Sequence, residues 1–290
     1  MKWNYELKPD EKEKIILNYS GVKIGKKQLK KIAEKMMVCQ KKDRDLTYTI
    51  LRIPVAGDGF QTDGTIPEVA DLDDSDIPEC YRFIMTIDND KGEYVAEAIG
   101  FEYSLYNFLM EPEMILNPLD AESYQDITAG MIMFDKLFPR TAMTAEAHGP
   151  LEKKIEQELI TMNPSMIWPD LLGSPYNEKR VNEIMSVVEN DDDLVVDDVL
   201  LITDMFLYPS KCKQIGMKMV SAILSTGDKF LYMTCDVATD GKFDSSLEKE
   251  MVSLAKENGM IVEGDDTKGY YGYLIDKGYT RKIEKLDSKK

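Results

Sequence analysis

Residues Asp197–Asp236 read DDVLLITDMFLYPSKCKQIGMKMVSAILSTGDKFLYMTCD, and this stretch decides the fold. An apolar run, Val199–Leu207, ends at Tyr208-Pro209. A short polar turn, Ser210–Gln214, leads into a segment with Ile215, Met219, Ala222 and Ile223 at helical spacing. Asp228 then opens a second apolar run, Phe230–Cys235. The order strand, turn, helix, strand predicts a parallel or mixed sheet covered by helices. The turn also presents backbone N–H groups at a helix N-terminus, where an anionic group such as a phosphate is stabilised.

The stretch resembles the core motif of the GNAT superfamily, the acyl-CoA-dependent N-acyltransferases. In that family a strand ending in hydrophobic-x-Pro is followed by an Arg/Gln-x-x-Gly-x-Gly/Ala turn, whose amides hold the coenzyme A pyrophosphate. Here the turn reads Lys211-Cys212-Lys213-Gln214-Ile215-Gly216. Gly216 keeps the family glycine, Lys211 stands where Arg or Gln is usual, and Gln214 replaces the first glycine. That replacement matters because glycine lets a backbone approach a phosphate closely. The resemblance implies acetyl-CoA, or another acyl-CoA, as cofactor. Backbone amides of Cys212, Lys213, Gln214, Ile215, Gly216 and Met217 would hold the pyrophosphate, with Lys211 and Lys213 in support. Met205 and Leu207 lie on the main strand, which would position the thioester.

A second stretch, Tyr273-Leu274-Ile275-Asp276-Lys277-Gly278-Tyr279, is similar to the family's late signature, Leu-Tyr-x-x-x-Gly-Phe. Gly278-Tyr279 matches the Gly-aromatic pair, while Leu274 occupies the place of the tyrosine that protonates the departing thiolate. Tyr273, one residue away, is the candidate acid; the competing reading is a tyrosine packed between sheet and helix. Acyl transfer to an amine also needs a base. Asp204 lies inside an apolar strand on the face opposite Met205, where a carboxylate requires a partner or a role. Asp236, at the end of the next strand, is the second candidate. In the family the two strands splay apart near this level and the acyl group enters the gap. A hydrogen-bonded structural aspartate or a helix cap is the alternative for either residue.

At 290 residues the chain is long enough for one large domain or two ordinary ones. It has no apolar run of membrane-spanning length, and its N-terminus, MKWNYELKPDEKEK, has no apolar signal core. Cys39, Cys80, Cys212 and Cys235 follow no Cys-x-x-Cys spacing, so reduced thiols and a cytoplasmic location are expected. The net charge of −17 repels phosphate backbones and anionic lipid, which argues against nucleic-acid and membrane partners. It favours cationic partners, including amines, although a solvated acidic surface needs no such explanation. The single histidine, His148, and the scattered cysteines argue against a zinc site. Walker A, Gly-x-Gly-x-x-Gly and Gly-x-Ser-x-Gly runs are all missing, which excludes the common nucleotide loops and the hydrolase elbow.

Along the chain, Pro9–Tyr19 and Lys26–Gln40 read as helices, the second with Leu29, Ile32, Ala33, Met36 and Met37 on one face. Thr47–Pro54 reads as a strand, followed by a long Gly-, Pro- and Asp-rich loop, Val55–Cys80. Tyr81–Ile87 and Tyr94–Tyr103 flank Asp88–Glu93 as a hairpin. Asp120–Leu137, Pro150–Met162 and Asn177–Glu189 read as helices, with Trp168 anchoring the loop between the last two. Ser245–Asn258 reads as a helix stopped by Gly259, Met260–Val262 as a short strand and Thr280–Leu286 as a terminal strand.

The expected fold is α/β: a mixed, twisted sheet with helices on both faces, a GNAT-like core, and a largely helical insertion. Three parts are expected: residues 1–104 with the N-terminal helices and first strands, 105–190 as the insertion, and 191–290 as the acyl-CoA-binding half. The leading function is acyl-CoA-dependent N-acyl transfer, with acetyl as the expected group and a small-molecule or protein amine as acceptor. The insertion, Met-rich at Gly130–Met133, offers a lid or a protein-partner surface. The alternative is a non-catalytic acidic binding or inhibitory protein, or a virion or assembly component, on the same scaffold.

Overall fold

A computed structural model describes residues 2–20, 25–55, 80–110, 129–130, 132–133, 136–137, 178–191, 194, 198–208, 212–239, 242–243, 245–265 and 269–288. Among them are helices α1 (Pro9–Ser20), α2 (Lys26–Lys35), α3 (Leu105–Met110), α4 (Glu178–Glu189), α5 (Cys212–Leu224), α6 (Ser245–Glu257) and α7 (Lys277–Asp287). The strands are β1 (Met37–Asp43), β2 (Leu46–Val55), β3 (Cys80–Asp88), β4 (Tyr94–Ser104), β5 (Asp198–Leu207), β6 (Phe230–Thr234), β7 (Ala238–Thr239), β8 (Lys242–Phe243), β9 (Ile261–Asp265) and β10 (Gly269–Leu274).

The strands form a mixed sheet in the order β1-β2-β3-β4-β5-β6-β10-β9, with β7 paired to β5 and β8 paired to β7. Its pairs β1–β2, β2–β3, β6–β10 and β9–β10 are antiparallel, whereas β5–β7 is parallel. The chain is therefore α/β, as its strand–turn–helix–strand stretch predicts. The hairpin turn of β3–β4 is held by Asn89, whose side-chain oxygen accepts from the backbone N–H groups of Lys91 and Glu93.

Two compact units divide the chain: residues 1–102 with 200–274, and residues 103–199 with 275–290. In the first unit, alternation along the strands creates two buried faces. On one, Ala96 and Ala98 of β4, Leu200, Ile202, Met205 and Leu207 of β5, and Leu231 and Met233 of β6 pack with Ile215, Met219 and Ile223 of α5 and Leu247 and Met251 of α6. On the other, Val38, Leu51 and Ile84 pack with Ile16, Leu29, Ile32 and Met36 from the α1–α2 region. Arg52 and Glu102 form a buried ion pair, Nε lying 2.7 Å from each carboxylate oxygen. In the second unit, Tyr279 of α7 is buried and donates its hydroxyl to the Leu137 carbonyl at 2.6 Å.

One close approach requires glycine. A Cβ on Gly100 of β4 would coincide with the Leu201 carbonyl oxygen and crowd the Ile202 backbone, so any side chain there displaces β5. Farther along the same pair, the Tyr208 N–H donates to the Val95 carbonyl at 3.0 Å. Residues 95 and 100 thus meet 208 and 201–202 respectively, so β4 and β5 run antiparallel.

Two sequence expectations are corrected. The segment Lys26–Gln40 is not one helix: α2 ends at Lys35 and Met37 begins β1, which pairs along its whole length with β2. Met37 is exposed while Val38 and Cys39 are buried, and a two-residue turn with Arg44 at φ 55 sets the register. Thr280–Leu286 is not a strand but the body of α7, started by Asp276, whose carboxylate accepts from the Tyr279 N–H at 2.7 Å. Tyr279 and Ile283, one helical turn apart, supply its buried face. The expected helices Asp120–Leu137 (apart from helical residues at 129–130, 132–133 and 136–137) and Pro150–Met162 lie outside the described residues, as do the Asp-rich loop, His148 and Trp168.

Candidate functional site

The site is built on β5. Leu200 and Ile202 face the helices α5 and α6, and so do Met205 and Leu207. The parity of inward residues therefore shifts by one between Ile202 and Met205. From Thr203 onward burial alternates, with Thr203, Met205 and Leu207 buried and Asp204 and Phe206 less so, which sets Asp204 on the face away from the helical layer. Thr203 is 5% exposed, and its hydroxyl makes no hydrogen bond among the described residues. Asp204 is half-buried.

On the neighbouring strand β4, Ala96 and Ala98 face the helices, so Glu97 stands on the same side as Asp204. Burial raises the Glu97 pKa above the usual carboxylate value; the Tyr94 hydroxyl, which donates to it, and the Arg82 charge offset this, and the Asp204 charge adds to it. Tyr94 and Tyr208 close the outer end, their ring centroids 5.2 Å apart at 51°. The Tyr208 phenol is also shifted upward, by burial first and by Glu97 second. Glu97 thus has the Tyr94 hydroxyl and the Arg82 and Asp204 charges as neighbours, and it is a residue that sequence reasoning passed over. Its signal was an acid between Ala96 and Ala98 in a run, Tyr94–Phe101, that is otherwise without charge.

The turn after β5 leads directly to α5, whose first helical residue is Cys212. Gln214 and Met217 are exposed, Ile215 and Gly216 buried. Gly216 faces inward: a Cβ there would stand 3.3 Å from Leu207 Cδ1 and 3.6 Å from Met251 Sδ. Its lack of a side chain lets α5 close on β5 and α6. Lys211 and the side chains of Cys212 and Lys213 lie outside the described residues. Met205 and Leu207 are buried in the core. Beyond β6, β7 lies parallel to the end of β5, with Ala238 opposite Phe206 and Thr239 opposite Leu207.

Tyr273 of β10 is buried, and its hydroxyl donates to Glu263 Oε1 at 3.0 Å. Tyr271, two residues away on the same face, donates to Glu263 Oε2 at 2.9 Å and stacks on Tyr232. Asp236 follows β6 beside the first turn of α6, where Glu248 is buried. Burial raises the Asp236 pKa, offset in part by a hydrogen bond with Glu248 and by the Tyr270 N–H. The register pairs Tyr273 with Tyr232, four residues before Asp236. At about 3.3 Å per residue the backbones of Tyr273 and Asp236 lie about 13 Å apart along the sheet. Among the described residues no group of three or more His, Cys, Asp or Glu could hold a metal ion.

Comparison with family models, with curated proteins and with solved structures returned no match. No described helix is long and apolar enough to cross a membrane. Chemically, the carboxylates of Glu97 and Asp204 can accept a proton. The Asp236–Glu248 pair can hold a shared proton, and the Tyr271–Glu263–Tyr273 set can donate one.

Proposed function

We propose that the chain is an acyl-CoA-dependent N-acyltransferase, with acetyl as the group carried and an amine as acceptor. The observation that carries this reading is the β5–α5–β6 unit, in which α5 follows a strand bearing Asp204. The free N–H groups of the first helical turn suit a pyrophosphate. When bound, acyl-CoA would supply the thioester. The chain's own part would be to hold the amine at Asp204 and Glu97 and to take its proton there. Asp236 stands as the second base, and Tyr273 as the donor to the thiolate.

A second reading, a binding protein that keeps this scaffold without catalysis, is favoured by β7. In the resembled family the acyl group enters between two splayed strands, whereas here β7 lies along β5 at Phe206 and Leu207. The Tyr273 hydroxyl is also engaged by Glu263.

A thermal-shift titration with acetyl-CoA and coenzyme A separates the two. Ligand at a hundred times its Kd adds about 2.7 kcal/mol. The acyltransferase reading expects a saturable rise in Tm that is reduced by Gln214→Glu, which sets a negative charge on the exposed first turn of α5. Gly216→Asp is a poor test, because its side chain would enter the core. An unchanged Tm at millimolar ligand leaves the binding reading.

A further inference from the structure

We infer that residues Trp3–Glu6 form a hinged strap across the outer edge of β1, and that this strap opens and uncovers the edge while the sheet stays folded. The device lies at the end of the sheet and is independent of the acyltransferase reading.

Strand β1 ends the sheet, with β2 as its one neighbour among the described strands. In antiparallel pairing, successive residues point their N–H and C=O groups alternately to either side of the strand. Gln40 turns both groups outward, to Asn4. The Asn4 N–H donates to the Gln40 carbonyl at 2.7 Å, and the Gln40 N–H donates to the Asn4 carbonyl at 3.1 Å. Val38 and Lys42 therefore face the same outer side, while Cys39 and Lys41 face Ile50 and Tyr48 of β2. With the strap closed, the middle of this outward row is occupied. With it open, Val38, Gln40 and Lys42 present a continuous edge, of the kind to which a further strand adds.

The pairing is a single bridge because the chain turns away at once. The Glu6 N–H, which would continue the ladder opposite Val38, donates instead to the Asn4 side-chain oxygen at 3.0 Å. Trp3 packs against the core on the α5 face of the sheet and Leu7 against the core on the α1–α2 face, so the segment crosses the edge. Leu7 anchors one end. The other is latched by Ser225, just past α5. Its hydroxyl accepts from the Trp3 indole N–H at 3.1 Å and from the Lys41 ammonium at 2.9 Å, and donates to the Ala222 carbonyl at 2.7 Å. The same ammonium lies 5.5 Å from the Trp3 ring centroid. A segment held by one bridge and one solvent-exposed latch opens at a lower free energy than the strands beneath it.

The test is amide hydrogen exchange of the full chain, followed residue by residue by NMR and normalised to each residue's intrinsic rate. Gln40 reports the strap, because its N–H is bonded to Asn4, whereas Cys39 and Lys41 report the sheet. In the wild type Gln40 is expected to exchange at least about tenfold faster than both neighbours. Ser225→Ala, at an exposed position, removes the shared acceptor of the latch. It is expected to speed Gln40 by about a further tenfold, the value of one to two hydrogen bonds, with Cys39 and Lys41 unchanged. Trp3→Ala is expected to act in the same direction from the other side of the latch. The inference is overturned if Gln40 exchanges in step with Cys39 and Lys41 in the wild type, or if neither variant speeds Gln40 relative to them.

Discussion

Single residues in this protein carry opposing demands of burial and charge. Arg52 and Glu102 are both buried, and their ion pair offsets the cost of burying each charge. Arg52→Met removes the guanidinium paired with buried Glu102 and is expected to cost about 3–5 kcal/mol in urea unfolding. The double variant Arg52→Met/Glu102→Leu recovers most of that loss, so a double-mutant cycle with strong coupling is the expected result. Thr203→Val works in the other direction and is expected to add about 1 kcal/mol, read from the same denaturation midpoint. Glu97 makes a pH-dependent contribution. Its folded pKa is raised above the unfolded value of 4.5, so the neutral acid is favoured by folding. The associated stability is fully present below pH 4.5 and is lost as pH rises through the raised folded value. Urea midpoints measured from pH 4 to 8 should therefore fall more steeply for the wild type than for Glu97→Gln.

Elements follow from their termini as much as from their interiors. Helix α7 depends on one cap, and Asp276→Ala is expected to destabilise it by about 1 kcal/mol, measured by urea unfolding. That cap shows why part of the fold was legible in the sequence and part was not. Strands with strong alternation and clear turn residues, such as β3–Asn89–β4, were readable because local chemistry and tertiary pairing agree. The α5 and α6 helices were readable for the same reason, their apolar spacing matching the face they bury. Strand β1 was hidden because Met36 and Met37 continue the spacing of α2, while the turn at Arg44-Asp45 has no glycine or asparagine to announce it. Helix α7 was hidden because Tyr279 and Ile283 also fit a β-rich run, and only the Asp276 cap decides between them. Asp204 was legible as an acid in an apolar strand. Its neighbour Glu97 was not, because it comes from β4, about a hundred residues earlier.

At the scale of the molecule, burial also governs reactivity. Cys39, Cys80 and Cys235 are all buried in the folded chain. Burial drives the Cys39 thiol up to about 11 and the Cys235 thiol up to about 12, so neither forms thiolate at neutral pH. Iodoacetamide at pH 8 is expected to leave these three unmodified until denaturant is added, which mass spectrometry of tryptic peptides can follow. The first compact unit is assembled from two separated pieces of chain, residues 1–102 and 200–274, whose strands β4 and β5 lie side by side in the sheet. During synthesis β4 is complete long before β5 exists. At about 5–20 residues per second, the intervening segment takes roughly 5–20 s to emerge. Throughout that interval the newborn β4 presents an open row of N–H and C=O groups, a template for any passing strand. The ribosome's pace, rather than the finished sheet, therefore sets the period in which this chain is most exposed to aggregation.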